Sequence, residues 1–108
     1  MRLYRRGAAI TARSDSIIAR QIVNAIQHNE LRLFYQPQIT AHDGRVVGME
    51  TLLRWYSPAL GLLVPERFMH VAEKLGVIVQ IGDWVLRSAF QQARIWRDWG
   101  FDDFEIAV

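Results

Sequence analysis

The feature that most constrains this 108-residue chain is an apolar run from Val46 to Trp55 that contains one acid and one base. Its aliphatic and aromatic residues favour a β-strand. Burying an ionised carboxylate among such residues costs several kcal/mol unless a metal ion or another cation compensates the charge. The position of Glu50 therefore predicts that a metal ion or another cation outside this run pairs with its carboxylate.

Successive side chains of a strand alternate between its two faces. Glu50, Leu52 and Arg54 therefore lie on one face of the predicted strand, and the intervening residues lie on the other. Glu50 and Arg54 are roughly 13 Å apart along such a strand, too far for a direct ion pair. This spacing suits the two ends of one anionic ligand. The alternative is a structural acid and a structural base, each paired with a group elsewhere in the fold.

The residues before the run predict an antiparallel partner. Residues 33–41 are rich in aromatic and branched side chains, and the three loop residues 42–44 end in Asp-Gly. A loop of this length and composition fits a type I turn followed by a glycine bulge. Pairing the residues that flank this loop brings Gln36 opposite Glu50, to within one residue.

Three other segments have the apolar spacing of amphipathic helices: Ser14 to Asn29, Pro65 to Gly76, and about Val77 to Trp99. A short strand is predicted over residues 104–108. Leu75 is predicted to join the core face of the second helix. The tryptophans of the third helix have the spacing of packing residues rather than of a set that stacks nucleobases; they are Trp84, Trp96 and Trp99.

Four motifs, in one order along the chain, resemble the start of an EAL-type cyclic-di-GMP phosphodiesterase domain. They are FYQPQ at 34–38, ETLLRW at 50–55, VAEKLG at 71–76 and IGDWVL at 81–86. The similarity extends from Leu31 to Val108. Thr51 stands where the family's name has Ala, and little effect is expected because its side chain lies on the face away from Glu50.

The resemblance implies an α/β fold, a TIM-like (β/α)8 barrel that begins with an antiparallel β-hairpin. Such barrels need about 250 residues, so residues 14–108 are expected to form only the N-terminal portion of the domain. Residues 1–13 are expected to be a basic arm or linker, since the first 20 residues carry five arginines against one aspartate. Alternatively, this arm binds nucleic acid or anionic lipid, or connects to a membrane segment upstream.

Members of the family hydrolyse one phosphodiester of cyclic di-GMP to linear pGpG with Mg²⁺ or Mn²⁺. By resemblance, Glu50 is a metal ligand, Arg54 binds a substrate phosphate, and Gln36 and Leu52 line the dinucleotide pocket. The family's remaining metal ligands and catalytic residues come from later strands. No catalytic residue is therefore assigned here, and the chain alone is expected to be inactive.

Two functional classes stay open at this point: part of a working phosphodiesterase, or a non-catalytic module that binds cyclic di-GMP or a protein. An unpaired strand edge of the partial barrel predicts self-association. The absence of cysteine excludes disulfides and thiolate metal sites. With no long apolar run and no signal sequence, the expected location is cytoplasmic, with no nucleic-acid partner and with membrane contact only through an upstream segment.

Overall fold

The computed structural model describes residues 6–101 and 104–108, with side chains described from Arg13 onward. Within these described residues there are three helices and four strands, with one 3₁₀ turn at Ile22–Asn24. In chain order they are α1 (Arg6–Gln21), β1 (Leu31–Ile39), β2 (Val46–Ser57), β3 (Gly61–Leu63), α2 (Pro65–Lys74), α3 (Ile78–Asp98) and β4 (Glu105–Ala107).

Strand β2 is the centre of the only sheet in the described residues. β1 pairs with it antiparallel, whereas β4 pairs with it parallel after the chain has passed through α2 and α3. The short strand β3 folds back on the end of β2. Trp55 pairs with both Leu31 and Leu63, so β3 lies on the edge of β2 opposite to β1. The predicted hairpin is confirmed. The Pro and Gly of residues 56–64 predict a loop over the whole stretch; the pairing of β3 within it corrects this prediction.

The hairpin loop differs from the prediction of three residues. The Thr40 N–H donates to the Arg45 carbonyl at 2.9 Å and the Gly44 N–H donates to the Thr40 carbonyl at 3.0 Å, so four residues, 41–44, connect the strands. The Asp43 carboxylate accepts from the Thr40 hydroxyl and from the Arg45 N–H, which stabilises the longer turn. Gly44 has a φ of 68°, the left-handed conformation that its predicted bulge position requires.

A β-bulge restores the predicted register. Val47 has no partner in β1, because the pairing shifts by one residue next to Gln38. Beyond the bulge, Gln36 lies opposite Glu50, as predicted. The bulge thus compensates the extra loop residue before the strand reaches Glu50.

The core lies between the helices and the face of β2 that carries Trp55. Trp55 is 0% exposed. Its ring meets that of Phe68 edge to face at 5.7 Å, and its Nε1–H donates to Glu30 Oε1 at 2.9 Å. The other buried members of this cluster come from α1, the turns after it, β1, β3, α2 and α3: Ile18, Ile22, Ala25, Leu31, Leu63, Val71, Ala72 and Ile81.

Helix α1 begins at Arg6 rather than at Ser14. The sequence between these positions is rich in alanine and arginine, which favour helix without forming an apolar stripe. The predicted helix end at Asn29 is wrong, because α1 ends at Gln21 and is followed by a 3₁₀ turn and further turns. Asn29 closes these turns with a φ of 56°, the left-handed conformation that asparagine tolerates. Residues 1–5 lie outside the described residues. The arm or linker at 1–13 and the domain start at residue 14 stay predictions.

Helix α2 begins at Pro65, as predicted, and is followed by Gly76 with a φ of 74°. The prediction for Leu75 is wrong, because this side chain is exposed. In α3, the ring centroids of Trp96 and Tyr35 are 4.9 Å apart, so Trp96 is a packing residue as predicted. The same prediction is wrong for Trp99, which follows the end of the helix and is exposed. None of the helices in the described part of the chain is both long and apolar enough to cross a membrane.

Candidate functional site

The four residues predicted for the site share one face of the β1–β2 hairpin. Directly opposite residues of an antiparallel pair point to the same face, and side chains alternate along each strand. We call this surface the open face; its residues are Arg32, Phe34, Gln36, Glu50, Leu52 and Arg54. Gln36 and Glu50 are exposed, and Leu52 and Arg54 are partly buried. The opposite, helix-covered face carries Leu31, Leu33, Tyr35, Thr51, Leu53 and Trp55.

The open face is organised as three cross-strand rows. The Tyr56 N–H donates to the Glu30 carbonyl at 2.9 Å, and hydrogen-bonded pairs alternate along an antiparallel ladder. Every row of the open face is therefore a hydrogen-bonded pair, with Cα atoms about 5.5 Å apart. Pro37 falls in a non-hydrogen-bonded pair, so its missing N–H costs no bond to β2. The rows are Arg32–Arg54, Phe34–Leu52 and Gln36–Glu50.

Glu50 lies in the middle of the sheet, with Gln36 on one side and Ala107 of β4 on the other. Because the Ala107 side chain is only a methyl group, it does not cover the Glu50 carboxylate, which stays exposed on the open face. Among the described side chains, Glu50 forms no ion pair. The assumption that Glu50 is buried among apolar residues is wrong for the described structure, since alternation sends its apolar sequence neighbours to the other face.

Arg54 follows Glu50 on the same face, toward the end of β2. Its Nη1–H donates to the carbonyl of Leu53 at 2.7 Å, and it too makes no ion pair with a described side chain. A guanidinium has five N–H donors in a planar fork, so donors remain for a phosphate or carboxylate. Arg54 therefore has the chemistry of an anion-binding residue.

The acidic residues of the described chain do not assemble into a metal centre. No three His, Cys, Asp or Glu side chains among the described residues lie close enough together to hold an ion. Mg²⁺ is bound by about six oxygen ligands, several of which are usually water. The exposed carboxylate of Glu50 fits one ligand of such a site, and the other protein ligands are not found among the described residues.

Sequence reasoning did not assign Arg32 a role. Its position opposite Arg54 becomes visible only when the hairpin register is applied from Gln36–Glu50 back toward the start of β1. Leu31 and Leu33, on either side of Arg32, are apolar and lie on the helix-covered face. This alternation is the sequence pattern that could have predicted that Arg32 points to the open face.

Comparison with known proteins identifies the family of this hairpin and its helices. Residues 19–108 match the family model of the EAL domain, and the chain belongs to this family. Over 84 residues it is 49% identical to the bifunctional diguanylate cyclase/cyclic di-GMP phosphodiesterase MucR of Pseudomonas aeruginosa. That match covers 78% of this chain and 12% of MucR. The predicted family is confirmed.

Solved structures agree with the sequence matches. The chain resembles the PaMucR phosphodiesterase in its c-di-GMP complex with a TM-score of 0.78 and 44% identity, over 82% of this chain and 36% of that one. It resembles the FimX EAL domain from Pseudomonas aeruginosa bound to c-di-GMP with a TM-score of 0.61 and 27% identity, over 70% of this chain and 31% of that one. The predicted fold class, part of a TIM-like barrel that begins with an antiparallel hairpin, is confirmed. EAL phosphodiesterases generally depend on divalent metal ions.

Proposed function

We propose that the open face is one wall of a cyclic-di-GMP site in an EAL phosphodiesterase. The observation that carries this proposal is that Gln36, Glu50, Leu52 and Arg54 lie together on one face of the hairpin, away from the helices that form the core. Support comes from two relatives of known structure whose names include bound c-di-GMP.

Each side chain suits a different part of a cyclic dinucleotide. The Glu50 carboxylate is a hard oxygen ligand for Mg²⁺ or Mn²⁺, and the Arg54 fork matches two oxygens of a phosphate. The Gln36 amide both donates and accepts hydrogen bonds, and Leu52 offers an apolar surface to a base or a sugar. A bound divalent ion would supply charge neutralisation at the phosphoryl oxygens and a more acidic water.

We expect the 108-residue chain by itself to bind cyclic di-GMP without hydrolysing it. Glu50 is the one carboxylate of β2, and a site for two metal ions needs several acidic ligands. The chain spans 12% of MucR and 36% of the PaMucR chain of known structure. Hydrolysis is therefore proposed for the site as completed by further metal-binding residues, not for these residues alone.

A non-catalytic role in protein interaction is the second candidate. A groove beside α3 and β4 exposes apolar side chains, including Phe90 at 70% exposure. In the described residues β4 pairs only with β2, so its other edge has free backbone groups. Self-association through this edge is expected, and light scattering that finds a single monomeric species at high concentration would contradict it.

The test is an amide-resolved NMR titration of the chain with cyclic di-GMP and Mg²⁺. Shifts confined to residues of the open face, lost in Arg54→Ala and kept in Arg94→Ala, support the binding site. Arg94 is the matched control because it is exposed on α3, and this helix contacts Tyr35 on the opposite face of the sheet. A dispersed spectrum that ignores the nucleotide at millimolar concentration would refute binding by these residues.

A further inference from the structure

The end of the open face carries two arginines side by side. Arg32 of β1 lies directly opposite Arg54 of β2, in a hydrogen-bonded pair of the ladder. Both side chains point away from the core, since the neighbouring Leu31 and Trp55 are buried on the helix side. Two guanidinium groups therefore project from Cα atoms about 5.5 Å apart onto the same surface.

This arrangement is unfavourable without a counter-charge, because like charges directly across a ladder destabilise it. The described side chains provide no ion pair for either arginine. Arg32 Nη1–H donates to the carbonyls of Asn29 at 2.6 Å and Leu31 at 2.8 Å. Arg32 Nη1–H also lies 3.5 Å from Asn29 Oδ1, and Arg54 donates to the Leu53 carbonyl among the described residues. Neutral carbonyl acceptors orient the two forks but leave their charges uncompensated.

Neither Glu30 nor Glu50 forms an ion pair with these arginines. Glu30, just before β1, accepts a hydrogen bond from the Trp55 indole N–H through Oε1, and its Oε2 lies 3.6 Å from His28 Nδ1. Glu50 lies two rows away, beyond the apolar row of Phe34 and Leu52. Two rows along a strand correspond to about 13 Å. The open face thus has a cationic end, an apolar middle and an acidic end.

We propose that Arg32 is a second phosphate-binding residue that acts with Arg54 on one phosphate of the cyclic dinucleotide. This inference rests on the proposed function, since it places the phosphate at the cationic row and the metal-bound end at Glu50. Two forks facing each other can each donate two hydrogen bonds to the non-bridging oxygens of a phosphodiester. The anion reduces the repulsion between the arginines, so the row, which has no counter-charge among the described side chains, gains one on binding.

The experiment compares Arg32→Ala, Arg32→Lys and Arg54→Ala with the wild type and with Arg94→Ala. The Kd for cyclic di-GMP with Mg²⁺ is measured by NMR titration, and the arginine side-chain Nε–H signals are followed in parallel titrations with inorganic phosphate. Arg32→Ala is expected to raise Kd about tenfold or more, the usual size of a lost charge-assisted hydrogen bond. Arg32→Lys is expected to recover only part of the loss, because an ammonium keeps the charge but not the fork.

Different results would refute the role of Arg32 and the proposed function. If Arg54→Ala weakens binding while Arg32→Ala binds like the wild type, the role of Arg32 is refuted and the proposed function stands. If the chain binds no cyclic di-GMP, the proposed function is refuted. The titration with inorganic phosphate then decides whether Arg32 and Arg54 bind a phosphate together. Joint shifts of the Arg32 and Arg54 signals by phosphate then support the two-arginine site, and shifts of neither refute it. Amide dispersion of each variant establishes that the exposed substitution has left the fold intact.

Discussion

The two faces of β2 are made from neighbouring residues, yet they differ in almost every physical property. On the helix-covered face, Trp55 is fully buried, packs on Phe68 and has its indole N–H satisfied by Glu30. One residue earlier, on the open face, Arg54 donates to one main-chain carbonyl, and most of its N–H groups have no partner among the described residues. Alternation at a period of two lets a single strand hold the core with one set of residues and present a binding surface with the other.

We expect the helix-covered face to determine stability and the open face to determine ligand binding. Changes on the helix-covered face should alter the free energy of unfolding, because they remove buried contacts. Changes on the open face should alter ligand affinity with little effect on folding, because those side chains already contact water. Paired substitutions, one on each face, test whether stability and ligand affinity depend on different faces.

The largest expected effect comes from Trp55→Ala, compared with Phe34→Ala on the open face. Trp55 is 0% exposed and Phe34 is 47% exposed. Truncating a buried aromatic residue costs about 3–5 kcal/mol, so Trp55→Ala should unfold at much lower urea concentration or fail to fold. Phe34→Ala should lose about 1 kcal/mol or less, as exposed side chains usually do. Urea unfolding followed by circular dichroism measures both, and equal losses would contradict the assignment of the faces.

An intermediate effect is expected where β4 joins β2. A Cβ added at Gly48 would lie 3.0 Å from the carbonyl oxygen of Glu105, a backbone atom that cannot move without shifting β4. Gly48→Ala should therefore weaken the pairing of β4 at a cost of about 1–3 kcal/mol, the usual range for overpacking. Hydrogen exchange of the β4 amides should accelerate while exchange in the hairpin stays slow.

The matched control for this substitution is Gly82→Ala in α3. A Cβ at Gly82 has no heavy atom within 4 Å outside its own helix neighbourhood, and its conformation is helical. Alanine is preferred to glycine in a helix by about 0.8–1.0 kcal/mol, so this change should stabilise the chain. A loss of stability on Gly82→Ala, or none on Gly48→Ala, would show that the close approach of β4 does not control the junction.

The face assignment of β2 could be predicted from sequence because it depends only on alternation and on the hairpin register. The register of Gln36 with Glu50 was predicted correctly even though the loop length was wrong, since the bulge at Val47 compensates the extra residue. The family motifs identified the fold class for a different reason: they report ancestry rather than local physics. The alternation of side chains and the family motifs together thus located the open face.

What the sequence could not provide are contacts between residues far apart in the chain. The pairing of β3 with the end of β2 depends on tertiary docking, and three residues carry too little pattern to be recognised as a strand. The exposure of Trp99 was missed because this residue lies just past the end of α3, where helical spacing no longer predicts which side chains face the sheet. Arg32 was missed because a single arginine in a strand has no meaning until its cross-strand neighbour is known.

The smallest expected effect lies on the helix side, where Asp15 of α1 contacts α2. Asp15 Oδ1 lies 3.4 Å from Arg67 Nη1, and Oδ2 lies 3.0 Å from His70 Nε2. The hydrogen bond with His70 is the main cause that lowers the pKa of the Asp15 carboxyl from its ordinary value of 3.8. Arg67 lowers this pKa further, with a smaller effect. A carboxyl whose pKa is lower in the folded state stabilises that state above its unfolded pKa.

Asp15→Asn should therefore reduce the free energy of unfolding at pH 7 by less than about 1 kcal/mol, because all three side chains are partly exposed to water. The difference from the wild type should be complete above pH 3.8 and should vanish as the pH falls through the lowered pKa of the folded state. Urea unfolding across this pH range measures it, and a difference that persists in strong acid would mean that Asp15 acts through packing rather than charge. Since α1 and α2 lie on the helix-covered side, the affinity of the open face for cyclic di-GMP should not change in this variant. A matching loss of affinity would show that the two faces of β2 are coupled after all.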